Sequence, residues 1–244
     1  MITYLPWDSD FFGFKTGKAT EEAVAGMNLQ QIQQMVQDQK YRLVYFVGKD
    51  LQPDSSESTR EFHRLMHLGG AFAADRKVVY HRVPPQTAPE NTPSKALLQH
   101  HGPVTEKLLQ LALQAGQYSR FNIDPRFPHH LFVRMYTEWI RKSVSGELAD
   151  EVLVVHGDKD TIRGFVTIKH HHDHSVIGLI AVDAASRGQQ VGSLLMKAAE
   201  ASCVRAGNNR LEVATQKDNK PACRFYEKAG FTCRKVEAIY HWWE

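Results

Sequence analysis

Residues 179–199, LIAVDAASRGQQVGSLLMKAA, carry side chains and spacings suited to chemistry. A buried-strand pattern leads into a tight loop, Arg187-Gly188-Gln189-Gln190-Val191-Gly192, and on through Ser193 into a helix. The first N–H groups of a helix have no intrahelical acceptor, and the aligned peptide dipoles make that end positive. Small and polar residues leave those amides accessible, so the loop suits an anion, and a pyrophosphate is its natural guest. Downstream, Asn219 and Ala222 precede the run FYEKAGF, residues 225–231. Within it Tyr226 carries a phenol whose ordinary pKa of about 10 keeps it protonated and able to donate at neutral pH. The two blocks together point to a protein that holds a pyrophosphate-bearing cofactor and works on its far end.

Other groups read more plainly. His170, His171, His172 and His174 fall between the strand patterns GFVTIK and SVIGLIAV. Without a matching carboxylate or thiol cluster they read as a solvated hairpin turn rather than a metal site. Cys203, Cys223 and Cys233 are odd in number and lack metal-type spacing, the pattern of reduced thiols in a cytoplasmic protein. The formal charge of +3 does not argue for nucleic acid, although surplus Lys and Arg suit an anionic small molecule. No apolar run reaches the length of a membrane span, and the opening MITYLPWDSDFFGF has no basic region followed by an apolar stretch. Neither a membrane partner nor a signal peptide is therefore expected.

The elements that must position these groups fall into two halves. In the first, residues 29–39 have helical periodicity, with Leu29, Ile32, Met35 and Val36 on one face, and residues 58–68 repeat it with Phe62, Leu65 and Met66. Strands are expected at 41–47 and 77–83. The opening is aromatic-rich and turn-like, with Trp7, Phe11 and Phe12 read as plugs that dock one half on the other. Residues 83–94, VPPQTAPENTPS, cannot be a central strand or a helix interior and read as a linker or a surface strap. In the second half, helices at 105–116 and 131–144 flank the loop SRFNIDPRFP. Strands follow at 151–156, 162–170 and 175–182, then a helix at 191–206 and a strand at 210–214. A helix at 219–229 is stopped by Gly230, and a last strand spans 233–242. Ile239, Tyr240, Trp242 and Trp243 in that strand either fill the core or pair in a homodimer.

This order of elements resembles the GNAT superfamily of N-acetyltransferases over residues 105–244. The family's Q/R-x-x-G-x-G/A loop follows its fourth strand. Arg187, Gly192 and the loop length match it, whereas Gln190 stands where the family has its first glycine, which lets backbone approach phosphate without a Cβ in the way. The block from Asn219 to Phe231 resembles N-x-x-A-x-x-x-Y-x-x-x-G-F. The opening WDSDFFG, the triplet Ser119-Arg120-Phe121, the helix with Tyr136 and Trp139-Ile140, and Val213-Ala214-Thr215-Gln216 are similar to the family's nucleotide-aminosugar N-acetyltransferases. Those enzymes acetylate the 4-amino group of a TDP-type deoxyaminosugar in cell-surface polysaccharide synthesis.

The resemblance implies an α/β (α+β) fold with a central mixed, mostly antiparallel sheet flanked by helices. It also implies a smaller partial α/β domain at 1–94 before the acetyltransferase domain at 95–244. Acetyl-CoA would lie where the fourth and fifth strands splay apart, its thioester carbonyl meeting a bulge at Ile180, Ala181 and Val182. The pyrophosphate would sit over Gly188, Gln189, Gln190, Val191, Gly192 and Ser193, with Arg187 adding charge and Asn219 and Ala222 closing the cofactor site. Tyr226 would protonate the leaving thiolate. Thr215 and Gln216 would meet donor and acceptor, Arg120 or Arg126 would grip a nucleotide diphosphate, and Phe121 would stack on base or sugar. A water, Glu212 or Asp183 remains open as the proton acceptor. Three alternatives stand beside this reading: acetylation of a protein N-terminus, acetylation of a polyamine or other small amine, and an acyl-CoA-binding sensor without chemistry, with Gln190 as its mark.

Overall fold

The computed structural model describes residues 1–85, 97–158 and 161–244. Most of the proline-rich segment, residues 86–94, lies outside them. In chain order the elements are β1 (Thr3–Tyr4), α1 (Pro6–Phe12), β2 (Thr16–Thr20), α2 (Leu29–Asp38), β3 (Leu43–Lys49), α3 (Glu57–Leu68), β4 (Phe72–Arg82) and β5 (Leu97–Gln99). There follow α4 (Glu106–Ala115), α5 (Arg120–Ile123), α6 (His129–Val144), β6 (Glu151–His156), β7 (Ile162–His170), β8 (Ser175–Val182), α7 (Val191–Arg205), β9 (Leu211–Gln216), α8 (Lys220–Lys228) and β10 (Thr232–Trp243).

Helix starts follow local chemistry. Asn28 closes a capping box with Gln31, and Ser56, Thr105 and Asn219 each accept a first-turn amide. The opening, expected to be a turn, is the helix α1. Pro6 presets its first turn, and Gly13 ends it in the left-handed region at φ 76°. The loop expected after residue 118 contains the single turn α5, capped by Ser119.

Among the described residues one mixed sheet contains the ten strands, in the order β1-β2-β3-β10-β4-β9-β8-β7-β6-β5, and only β2–β3 and β8–β9 pair in parallel. The sheet runs without a break through both halves of the sequence, because β10 lies between β3 and β4 and β4 continues into β9. Both edges of β10 are therefore paired within the chain, and its apolar residues fill the core. Its residues Glu237–His241 have a strand partner on both sides among the described residues.

Helices cover both faces. On one side α7 and α8 pack on the central strands through Val191, Leu195, Ala199, Cys203 and Tyr226, and α2 and α3 pack through Ile32, Val36, Phe62 and Met66. On the other, α4 and α6 cover β6, β7 and β8 through Leu108, Leu111, Phe132 and Ile140. Phe11 and Phe12 of α1 join Phe127, Leu131 and Met135 against Leu43, Tyr45 and Ile239, so these two rings do dock the first half on the second. Trp7 stacks on Phe11 from the solvent side.

Candidate active site

The parallel pairing of β8 with β9 is short. It runs from Ser175↔Leu211 to Ile177↔Val213 and stops there, although β8 continues to Val182 and β9 to Gln216. Beyond Ile177 the two strands diverge. β8 stays paired with β7, and β9 with β4. The wedge between them is part of a cavity of about 1110 Å³. A bulge re-aims β8 at this point, but its position corrects the expectation. The register slips between Val166↔Ile180 and Ile168↔Ile177, which places the extra residue at Gly178 and Leu179 rather than at 180–182. Thr167 fills the irregularity, its Oγ1 accepting from the Leu179 amide at 2.8 Å. Ile180, Ala181 and Val182 still line the cavity.

At the mouth of the wedge the loop after β8 turns into α7. Among the described residues, the backbone amides of Gly188, Gln189, Gln190, Val191, Gly192 and Ser193 have no hydrogen-bond acceptor; the first amide with one is Leu194, which donates to the Gln190 carbonyl. Gly188 and Gln190 are both left-handed, at φ 74° and 60°. Alternating conformations of this kind gather N–H groups into an anion-binding concavity. Gln190 thus adopts the backbone that glycine would take, and the loop keeps its shape without the glycine. Gly192 has a separate reason: a Cβ there would lie 3.2 Å from the Phe225 ring, which would have to give by a few tenths of an ångström. The Gln189 side chain is turned aside, bonded to Arg163 and to the Ala185 carbonyl. Arg187 is exposed on the rim of the cavity.

Left-handed backbone costs a non-glycine residue about 1–2 kcal/mol, against about 0.4–1 kcal/mol for the freer unfolded chain that glycine brings. Gln190→Gly is accordingly expected to raise the unfolding free energy by up to ~1 kcal/mol. A urea midpoint shifted downward would refute this account of the loop.

The floor of the wedge is α8. Asn219 caps it, its Oδ1 accepting from the Ala222 amide at 3.2 Å and its Nδ2 reaching Thr215 Oγ1 at 3.4 Å. The cap ties the helix start to the end of β9, and Asn219, Ala222, Thr215 and Gln216 all line the cavity. Tyr226 is buried beneath them among Tyr80, Phe225 and Phe231, yet also borders the cavity. Burial holds its phenol well above the usual value, with Cys223 pushing the same way. The group is a proton donor over the whole neutral range.

The far end of the cavity combines residues of both halves of the chain, of which the sequence pointed only to Arg120 and Phe121. Arg120 lies over the Tyr45 ring at 4.1 Å and the Phe121 ring at 4.6 Å. Phe121 is half-buried against Phe12 and Phe127. Around them the cavity is lined by Asp8, Lys18, Asp75, Lys77 and Glu237. No motif marks these residues; only the strand order and register bring them together. Asp75 is pushed up to about 6 by burial, while Arg120, Gln216 and Lys77 pull it down. Burial also raises Asp8, against the pull of Arg120. Behind this wall a buried dyad holds α5 to β10: His241 Nδ1 donates to Asp124 Oδ2 at 2.7 Å, and Trp243 Nε1 donates to the same oxygen at 2.8 Å. Burial takes His241 down to about 4, so its ring is neutral.

Two further candidates fall away. Glu212 is tied to Arg210 at 2.8 Å and Arg234 at 2.5 Å, and Asp183 to Lys107 at 2.5 Å; neither borders the cavity. Arg126 also lies off it, donating to the Gly70 carbonyl at 3.3 Å. His170 ends β7 beside Glu151 and Ser175, and His171, His172 and His174 lie in the turn to β8, with His171 N–H bonded to the His174 carbonyl at 2.8 Å.

Residues 112–231, which hold the wedge, the amide loop and α8, match the Acetyltransferase (GNAT) family. The chain carries a GNAT acetyltransferase domain. It is 31% identical over 136 residues to a dTDP-fucosamine acetyltransferase of Escherichia coli, which is 55% of this chain and 56% of that protein. It is 24% identical over 139 residues to the spore coat polysaccharide biosynthesis protein SpsD of Bacillus subtilis, 57% of this chain and 47% of that one. The chain thus spans about half the length of the curated relatives it matches. The fold of nearly the whole chain recurs in a GCN5-related N-acetyltransferase from Sphaerobacter thermophilus, with a TM-score of 0.53 and 17% identity over 98% of this chain and 75% of that one.

Proposed function

We propose that this chain is an acetyl-CoA-dependent N-acetyltransferase that acts in the cytoplasm on the amino group of a nucleotide-linked deoxyaminosugar. The observation that carries the reading is one continuous cavity. It runs from six unpaired amides, through the wedge between β8 and β9 with Tyr226 on its floor, to a charged end walled by β3, β4, β10 and α5. The donor's chemistry fits these residues. The amides of 188–193 suit its diphosphate, the unpaired strand edges past Ile177 suit the amide-bearing pantetheine, and the thioester supplies an activated acetyl group. Tyr226 holds a proton at its Oη for the leaving sulfur. Arg120, with Lys18 and Lys77, offers cationic partners for the acceptor's diphosphate, and Phe121 offers a face to its base or sugar.

Cationic and anionic side chains occur together in the acceptor end, which suits an acceptor carrying both an amine and phosphates better than a bare polyamine. Gln190 lends nothing to the sensor reading, since its backbone is that of the glycine it replaces. Among the described residues no helix is long and apolar enough to cross a membrane.

The test is a screen of purified protein with acetyl-CoA against dTDP- and UDP-linked aminosugars, following thiol release. Acetylation of a nucleotide aminosugar well above that of free amines is the expected result. Turnover only with polyamines or peptides would overturn the substrate assignment, and no thiol release with any amine would overturn the enzyme reading.

A further inference from the structure

Among the described residues, Asp75 Oδ1 and His241 Nε2 are buried side-chain polar atoms without a hydrogen-bond partner. Buried polar atoms are rarely left so, and an orphan in a native structure calls for a ligand, an ion or a functional reason. Of these, Asp75 borders the cavity itself. Two anchors locate Asp75 more closely. It lies on β4, opposite Ile239 of β10 and two residues before Lys77, which pairs with Gln216 at the end of β9. The ladder between β4 and β10 slips there, with Ala74 as the extra residue between Ile239↔Asp75 and Tyr240↔Ala73. Such irregularities re-aim a side chain. Asp75 therefore stands next to the strand end where the wedge opens into the acceptor half. Of the other carboxylates on the wall, Glu237 is paired with Lys235 at 3.0 Å. Asp8 sits on α1, over strands farther from β9.

We infer that Asp75 binds the acceptor amine through its unpartnered oxygen and takes the amine's proton during transfer. The assignment rests on the transferase reading above. In the step it serves, the amine nitrogen bonds to the acetyl carbonyl carbon and the carbon–sulfur bond breaks. The nitrogen's proton passes to the Asp75 carboxylate, and the Tyr226 phenol gives its proton to the sulfur. Solvent then carries a proton from the Asp75 carboxyl to the phenolate, leaving both side chains as they began. The residue is suited to the task. Burial holds its carboxyl at about 6, nearer to neutrality than an ordinary aspartate and still ionised at pH 7.5. The charged and titratable groups that face it are Arg120 of α5, Lys77 of its own strand, Asp218 beyond β9 and Tyr136 of α6, and the Gln216 side chain of β9 hydrogen-bonds to its carboxyl, leaving Oδ1 unpartnered.

Asp75→Asn keeps the shape and removes the base. With whichever amine the wild-type protein acetylates, the variant is expected to lose about 100-fold or more in kcat/KM at pH 7.5. It should also lose the acidic limb of the wild-type pH profile, which rises through pH 6. Its calorimetric affinity for acetyl-CoA should stay within about twofold, which shows that the fold is intact. If the wild type uses nucleotide aminosugars and Asp75→Asn matches it in rate and pH profile, the role of Asp75 is overturned while the substrate reading stands. If only another amine is used and Asp75→Asn abolishes it, the substrate reading falls and Asp75 stands. Removal of the limb by Asp8→Asn and not by Asp75→Asn, or no acetylation of any amine, would also sink the assignment.

Discussion

Tyr226→Phe is expected to lower kcat by about 100- to 10,000-fold, the range for loss of a general acid, while the affinity for acetyl-CoA changes less than twofold. The ring would keep its contacts with Tyr80, Phe225 and Phe231. Only the hydroxyl is lost, and it is the atom proposed to protonate the departing sulfur. Stability should hardly move, because the buried ring and its packing are kept. The held-up pKa adds a second signature. Loss of activity at alkaline pH through ionisation of Tyr226 should not set in near the ordinary phenol value of ~10. Single-turnover rates with saturating acetyl-CoA are the measurement. A variant that transfers acetyl groups at the wild-type rate would remove Tyr226 from the chemistry, and a variant that no longer binds acetyl-CoA would make it a structural residue.

Deleting residues 1–94 is expected to abolish cooperative folding of the remaining 95–244, even though the family match lies wholly within that remainder. β10 would lose both of its neighbours, β3 and β4, and β9 would lose β4. Ala238, Ile239, Tyr240 and Trp242, all buried in the intact chain, would meet water on an unpaired strand. Phe127, Leu131 and Met135 would lose Phe11 and Phe12. Each large apolar side chain uncovered costs about 1.5–3 kcal/mol, so the sum is comparable with the whole ~5–15 kcal/mol by which a domain is ordinarily stable. The fragment should be poorly soluble, bind a hydrophobic dye and melt without a sharp transition. A soluble fragment with a sharp thermal transition would instead show that 95–244 is an autonomous domain.

Much of the GNAT half was legible residue by residue. The strands at 151–156, 162–170 and 175–182 have the limits expected of them, and α7 ends one residue early. These elements announce themselves through nearby residues: period-two or helical apolar spacing, a Gly-Asp turn, a Gly stop at 230. The loop at 187–193 was readable for the same reason, since an amide nest and a helix start are made by the few residues that form them. Where local signals were short, the reading slipped. α1 spans two turns with a non-capping Leu5 before it, and the bulge of β8 depends on Thr167 from the neighbouring strand.

What the sequence by itself determined is the side of the cavity proposed for the donor: the strand, the amide loop, the capping Asn219 and the helix that carries Tyr226, all within about fifty consecutive residues. Only the tertiary structure decided the side proposed for the acceptor. Asp75, Lys77, Tyr45, Arg120 and Glu237 are far apart in the chain and meet because β10 returns to lie between β3 and β4. Local periodicity tells which face of a strand is apolar, but the partner of a strand is set by long-range burial, with no trace in its own residues. A carboxylate such as Asp75 takes its proton affinity from that surrounding, so its chemistry exists only once the sheet is assembled.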